Sequence, residues 1–314
     1  MRIAVTGATG FIGGRIAQRL ADAGHEVLGL GRRSGAALPA PIRYARWDIG
    51  DAADPAPAEL DAADAIVHAA AHVADWGPPE PFRRVTVEGT ARLIRACGRA
   101  RLVVIGSASV YDPYCGHLPA READAPVDRY RNEYGRAKAD QERLVRRERP
   151  DALILRPHAV YGAGDQTLLP RLIAARRVAR LVLPAGGRRL MSITHVDTVA
   201  DVVIAALDRP GVSGPLNVAD ATPVRACDLL EAAFAGLGLP TKIVTMPLPL
   251  AWAAAGMFEW TYRVARRSSP PPLTAYAVSH LAWPFVLDVG RLEAELGIRP
   301  DRTYLDHVAE LAVP

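Results

Sequence analysis

Ile3-Ala4-Val5-Thr6-Gly7-Ala8-Thr9-Gly10-Phe11-Ile12-Gly13 decides the fold. A short apolar strand runs directly into glycines at positions 7, 10 and 13, and residues 15–23 then read as a helix that Gly24 closes. Glycine at such a turn lets backbone N–H groups approach an anion at the positive end of the helix, and a strand–turn–helix context makes that anion the pyrophosphate of a dinucleotide. Further strand candidates follow at 26–30, 42–45, 65–68 and 102–105, with helical stretches between them. Alternation of this kind predicts an α/β chain with a parallel sheet covered by helices on both faces.

The end of the second strand selects the cofactor. An acidic residue there would accept from a free ribose 2′-hydroxyl, but this chain has Gly31-Arg32-Arg33. Two guanidinium groups match a 2′-phosphate through charge-assisted bonds, so NADP(H) is preferred, with NAD(H) the alternative. Asp48, after the third strand candidate, is placed to accept from the adenine amino group, or else to cap its own loop.

Composition narrows the setting. The chain has 314 residues, half of them hydrophobic, and a net charge of +4 with its basic residues scattered rather than gathered in a block. That is enough for a large core, in one composite domain or two smaller ones, with no nucleic-acid footprint. Three cysteines without a CxxC spacing, and an N-terminus that enters a strand at once, predict a cytoplasmic protein with no export signal. The apolar run 248–264 is interrupted by Pro249 and Glu259 and is short for a bilayer crossing, so no integral membrane segment is expected. It reads as a buried or pocket-covering helix, and Arg263, Arg266 and Arg267 give the alternative of lying on a membrane surface. Met246, Leu248, Leu250, Trp252, Met257, Phe258 and Trp260 there read either as plain core or as the lining of an apolar pocket.

Chemistry is concentrated at Tyr134-Gly135-Arg136-Ala137-Lys138. Only two lysines occur beside thirty-six arginines, so lysine stands where a compact ammonium is needed and a guanidinium fork would not serve. Residues 130–147 read as helix, which makes Tyr134 and Lys138 neighbours one turn apart. A phenol beside an ammonium becomes a proton donor and acceptor near neutral pH, and Ser107, at the end of a strand, would hold the substrate oxygen.

With these pieces the chain resembles an extended short-chain dehydrogenase/reductase over nearly its full length. The residues that carry the resemblance are Thr6-Gly7-Ala8-Thr9-Gly10-Phe11-Ile12-Gly13, Asp48-Ile49, His68-Ala69-Ala70-Ala71, Ser107-Ala108-Ser109-Val110-Tyr111, Tyr134 with Lys138, Leu155-Arg156-Pro157 and His195-Val196-Asp197. The resemblance implies a Rossmann-type doubly wound sheet with a smaller, interleaved C-terminal substrate lobe. It also implies that Ala69, Ala70 and Ala71 pass under the nicotinamide ribose and that Pro157 and His158 flank the nicotinamide.

Departures from the family pattern narrow the reaction. Ala108 and Ser109 replace the acidic pair of sugar-nucleotide dehydratases, Ala159 replaces an asparagine of many epimerases, and Thr86 replaces the asparagine of a proton relay. Thr86 is read instead as a helix cap. Asp75-Trp76-Gly77-Pro78, His158, Gly162-Ala163-Gly164-Asp165 and Pro272-Leu273-Thr274 resemble the 3β-hydroxysteroid dehydrogenase branch, whose bacterial relatives include 2-alkyl-3-oxoalkanoate reductases. Trp76, Ser109 and His158 are therefore the substrate-side candidates. The pair His68 and His72 is read as part of the cofactor loop, and no metal is expected; His195 and Asp197 are read as positioning a helix.

The expected organisation is a dinucleotide-binding domain over 1–165, to which 191–220 returns, and a substrate lobe over 166–314, with the Pro270–Pro272 run a stiff connector to a last helical stretch. The expected activity is NADP(H)-dependent interconversion of a ketone and a secondary alcohol on an apolar, steroid-like or 3-oxoacyl-like small molecule. The rivals are a nucleotide-sugar epimerase and a non-catalytic NADP sensor. Helices at 82–97 and 130–147 would pair in a homodimer.

Overall fold

In the computed structural model, which describes residues 1–35, 38–165, 173, 175–267 and 269–304, the glycine-rich turn sits at the centre of a seven-stranded sheet. Its strands are β1 (Arg2–Thr6), β2 (Glu26–Gly31), β3 (Arg43–Arg46), β4 (Ala65–His68), β5 (Arg101–Ile105), β7 (Leu153–Pro157) and β12 (Gly214–Val218), in the order β12-β7-β5-β4-β1-β2-β3. Every neighbouring pair is parallel. The order reverses at β1, with β2 on one side and β4 on the other, and a crevice outside the carboxyl ends of strands at such a reversal is where ligands bind in open α/β sheets.

Strand alternation fills both faces. Ile3 and Val5 of β1 pack with Ile16, Ala17 and Leu20 of helix α1 (Phe11–Asp22) and with Val199, Val202 and Val203 of the helix Val196–Leu207. Ala4, between them in sequence, joins the opposite layer with Leu93 of α3 (Gly89–Ala96) and Val145 of α4 (Glu133–Glu148). Both layers are apolar and buried, and the sheet therefore holds the loops at its carboxyl end in fixed register.

Beside this core lies a four-stranded sheet of order β13-β10-β15-β6, built from β6 (His117–Ala120), β10 (Leu190–Met191), β13 (Val224–Arg225) and β15 (Phe285–Leu287). Thus β6, from the first half of the chain, pairs with β15 near its end, while β12 from the second half extends the central sheet. Two short parallel pairs complete the described strands: β8 (Val160–Tyr161) with β11 (Thr194–His195), and β9 (Arg180–Pro184) with β14 (Lys242–Met246). Residues 166–172 and 305–314 of the expected lobe lie outside the described residues.

Three expectations are corrected. α4 starts at Glu133 rather than 130, because the Asn132 side chain accepts from the Gly135 N–H at 3.0 Å and ends the extended approach. After Pro270–Pro272 comes not one helical stretch but helix Ala275–Ala282, strand β15 and helix Gly290–Leu296. Within the helix Leu248–Val264 only Ala251 and Ala255 are buried; Leu250, Met257 and Trp260 are exposed and line neither core nor pocket.

Candidate active site

The turn after β1 is set by close approach. Gly7 has φ +72°, and a Cβ there would stand 2.9 Å from the Ala70 backbone nitrogen; a Cβ on Gly13 would stand 2.3 Å from the Gly7 carbonyl oxygen. The Gly10 N–H donates to the Gly7 carbonyl at 2.9 Å, and the Ala70 N–H donates to Thr6 Oγ1 at 3.2 Å. The glycine turn and the Ala69–Ala71 segment after β4 are thereby pinned together. Phe11 and Ile12 open α1 behind them. Alongside runs a groove of about 450 Å³ lined by Ala8, Thr9, Gly10, Arg33, Ser34, Gly35 and Leu38.

Of the two arginines after β2, Arg33 borders this groove. Arg32 does not line it, and its charge is felt at His72, whose pKa is lowered by burial and then by Arg32 and Arg84. Asp48 caps its own loop, with Oδ1 accepting from the Gly50 N–H at 2.9 Å, so the plainer of its two readings describes its contacts. Ile49 is buried where a Cβ on Gly89 would lie 3.1 Å from the Ile49 carbonyl oxygen, which brings α3 against this loop.

Ser107, Tyr134 and Lys138 converge where β5 meets α4. Ser107 leaves the strand, its Oγ accepts from the Ser109 N–H at 3.1 Å, and it is a hydrogen-bond partner of the Tyr134 phenol. Lys138, 4% exposed, donates from Nζ to the Ile105 carbonyl at 2.8 Å and to Gln141 Oε1 at 3.0 Å. Burial lowers its pKa to about 7. The Tyr134 phenol is pushed up by burial, which outweighs the hydrogen bond from Ser107. Desolvation is the largest effect on both groups, and it disfavours phenolate and ammonium alike.

Behind Lys138 the polar groups are fully paired. Gln141 Nε2 donates to Thr90 Oγ1 at 2.8 Å, and Thr90 Oγ1 donates to the Thr86 carbonyl at 2.6 Å. His68 Nε2 lies 2.8 Å from Thr90 Oγ1 and its Nδ1 lies 2.7 Å from Thr6 Oγ1. Since the Thr90 hydroxyl proton is already committed, His68 donates from Nε2, and Nδ1 accepts from Thr6. Burial holds His68 neutral, lowering its pKa to about 3. A continuous network thus runs from the Lys138 ammonium to the residue that pins Ala70. The Gln141 amide in its middle neither gives up nor takes a proton, so the network orients groups rather than conducting protons. Thr86, expected as a helix cap, instead sits buried in a π-helical turn at Arg83–Glu88, where its hydroxyl accepts from the His72 N–H at 3.1 Å.

On the substrate side, hydroxyls continue outward from Ser107. Ser107 Oγ is 3.0 Å from Ser109 Oγ, which is 2.8 Å from the Tyr276 hydroxyl on the helix Ala275–Ala282. Ser109, His158, Tyr276, His280 and Phe285 border a cavity of about 40 Å³. His158 follows Pro157 at the end of β7; its Nδ1 donates to the Ser192 carbonyl at 2.6 Å, and its ring stacks on His280 with centroids 5.6 Å apart. Burial and then His280 lower the His158 pKa to about 3, so the ring is neutral. Trp76 stands outside this group, its Nε1 donating to the Arg267 carbonyl at 3.2 Å beneath the Arg263 guanidinium.

Three motif residues make structural contacts. Arg156, fully buried, grips Glu142 through two bonds of 3.0 and 2.6 Å and ties β7 to α4. His195 caps its helix by accepting from the Asp197 N–H at 3.2 Å, while Asp197, read from sequence as the cap, instead accepts from Arg15 at 2.8 Å. Gln141, Thr90, Tyr276 and His280 escape the sequence reading. Gln141 carries a signal in retrospect, since it stands one turn beyond Lys138 on the same helix face; Tyr276 carries none, because only tertiary packing brings its helix to Ser109.

Similarities to known proteins agree with this geometry. The model of the NAD dependent epimerase/dehydratase family matches residues 3–219. A 2-alkyl-3-oxoalkanoate reductase of Shewanella oneidensis is 27% identical, over 93% of this chain and 81% of the relative. A dTDP-6-deoxy-L-talose 4-dehydrogenase (NAD(P)(+)) of Kitasatospora kifunensis is 34% identical, over 79% of this chain and 83% of the relative. Among solved structures, a UDP-glucuronic acid 4-epimerase from Bacillus cereus in complex with NAD superposes with a TM-score of 0.75, covering 99% of this chain and 97% of that one at 19% identity, which speaks for the fold alone. The chain belongs to the NAD dependent epimerase/dehydratase family and is an oxidoreductase of the extended short-chain dehydrogenase/reductase type.

Proposed function

We propose that this protein is an NADP(H)-dependent oxidoreductase that interconverts a ketone and a secondary alcohol on an apolar small molecule. The observation that carries the reading is the junction of Tyr134 with Ser107 at the mouth of the sheet, backed by the Lys138 ammonium on the Ile105 carbonyl. The glycine cradle around Gly7 and Gly13 admits backbone approach to a pyrophosphate, and Arg33 borders the groove where a ribose 2′-phosphate would lie beside Thr9. The dinucleotide, when bound, supplies or accepts the hydride.

The chain's own residues handle the proton and the geometry. Ser107 holds the substrate oxygen, Tyr134 donates a proton to that oxygen during reduction and takes it back during oxidation, and Lys138 stabilises the phenolate form. With the phenol raised by burial, Tyr134 is protonated at neutral pH, the form that donates during reduction. The cavity bordered by His158, His280 and Phe285 presents neutral aromatic faces, which suits an apolar acceptor. At about 40 Å³ it has room for little more than a water, so a larger substrate enters only as Tyr276 and its helix give way. The name of the Shewanella relative supports a 3-oxoacyl-type acceptor.

Consumption of NADPH is followed by absorbance with a panel of 3-oxoacyl and steroidal ketones, for the chain and for Tyr134→Phe. Turnover by the chain, at least about a hundredfold reduced in the variant while its NADPH affinity stays within a few-fold, is the expected result. Undiminished turnover in Tyr134→Phe refutes the assignment. A nucleotide-sugar epimerase would convert its substrate with no net NADPH loss, whereas a nucleotide-sugar dehydrogenase, the activity in the name of the Kitasatospora relative, would change NADPH with a nucleotide-sugar and not with these ketones. Binding of NADPH without turnover of any carbonyl would instead mark a sensor. The homodimer is tested by light scattering.

A further inference from the structure

The helix Leu248–Val264 has two apolar faces, and only one of them is covered. Its inner face, centred on the buried Ala251 and Ala255, packs with Val278 of the helix Ala275–Ala282. Opposite stand Leu250, Ala253, Gly256, Met257, Trp260 and Val264, all exposed, which at 3.6 residues per turn fall within about 120° of arc. Leu250 and Met257 are each 57% exposed, Trp260 64% and Val264 65%. A contiguous apolar strip of this size on a protein surface marks an interaction site.

Charge says what covers it. The single acidic residue between 247 and 267, Glu259, is turned inward, its side chain 13% exposed and its Oε1 accepting from the Ala275 N–H at 2.8 Å. Arg266 and Arg267 follow at one end of the strip, both exposed, while Arg263 pairs with the Glu259 carboxylate at 3.2 Å. An exposed apolar helix face with tryptophan, no negative charge and a terminal arginine cluster matches the boundary of an anionic lipid layer, where the apolar side chains enter the acyl region and the guanidinium groups meet phosphates. No helix of the described residues is long and apolar enough to cross a membrane, so the contact is a surface one.

The helix also touches the cavity rim indirectly, through Arg131. The Arg131 guanidinium carbon lies 4.4 Å from the Trp252 ring centroid and 4.0 Å from that of Tyr114, and Arg131 Nε donates to the carbonyl of Pro113, a cavity-lining residue, at 3.1 Å. We propose that the outer face of helix Leu248–Val264 docks the protein on an anionic membrane surface. The inference rests on the helix face and its charges and stands apart from the identity of the substrate.

Flotation with vesicles tests it, using the full chain, its Met257→Glu/Trp260→Glu variant and its Arg266→Glu/Arg267→Glu variant. Vesicles are pure phosphatidylcholine or equal parts phosphatidylcholine and phosphatidylglycerol. The chain is expected to float with the mixed vesicles and to partition at least about tenfold less onto the neutral ones, with high salt closing the gap. The arginine variant loses at least about fivefold in partitioning onto mixed vesicles for each arginine replaced, since each Arg→Glu also adds a negative charge, and the Met257→Glu/Trp260→Glu variant loses flotation altogether. Equal thermal midpoints confirm that the variants fold. Failure of the chain to float with mixed vesicles, or equal flotation by the Met257→Glu/Trp260→Glu variant, overturns the proposal. So does a stable dimer by light scattering that this variant splits, since a second copy of the chain would then be what covers the face.

Discussion

Gln141 offers a sharp test of how the buried ammonium is tuned. Its Oε1 accepts from Lys138 Nζ at 3.0 Å in a site where Lys138 is 4% exposed, so the bond is to a charged group out of water. A hydrogen bond to a charged group contributes about 1.5–3 kcal/mol, and one pKa unit corresponds to about 1.4 kcal/mol, so Gln141→Leu is expected to move Lys138 down by about 1–2 units. The starting value is about 7. Removal of the acceptor lowers the pKa because the bond is stronger to the ammonium than to the neutral amine. Gln141→Glu works in the opposite direction, placing a carboxylate beside the ammonium and raising its pKa. The assay is kcat/KM for NADPH as a function of pH, which reports groups of the free protein. If Lys138 acts in its protonated form, the loss of kcat/KM toward alkaline pH begins near neutrality in the parent. It shifts toward acid by about 1–2 units in Gln141→Leu and toward alkali in Gln141→Glu. A merely structural role for Gln141 would depress the whole curve without moving its limb. Three superimposable limbs, or shifts of the same sign in both variants, refute the reasoning.

Two further perturbations separate binding from folding. Arg33→Ala should weaken NADPH by about 10- to 100-fold in calorimetric titration and leave NADH nearly unchanged, the loss of one charge-assisted phosphate contact, whereas Arg32→Ala should cost less because Arg32 does not line the groove; equal losses for both cofactors would dissociate Arg33 from the phosphate. Arg156→Met strands the Glu142 carboxylate, itself 2% exposed, and should cost about 3–5 kcal/mol in urea denaturation, with an unchanged midpoint counting against a structural role for the pair.

The local half of this protein is legible in its sequence. The strand, the glycines at 7, 10 and 13 and the helix behind them are short-range facts: only glycine tolerates the φ of +72° at position 7 and the 2.3 Å approach at Gly13, so the residues themselves announce the turn. Strands β1, β2, β4 and β5 follow from apolar runs of fixed length, and Tyr134 with Lys138 follows from helical spacing.

Tertiary structure decided what depends on distant partners. Desolvation is a property of the assembled interior, so no spacing rule could say that burial raises Tyr134 while lowering Lys138 to about 7. The pairing of β6 with β15, the arrival of Tyr276 at Ser109 and the parting of Arg32 from Arg33 likewise join residues remote in sequence or settle directions that a string of letters does not carry. The apolar helix Leu248–Val264 shows the same limit most plainly. Its composition reads as core, and only the packing of neighbouring elements, which covers Ala251 and Ala255 but not Met257 and Trp260, determines which apolar side chains leave water.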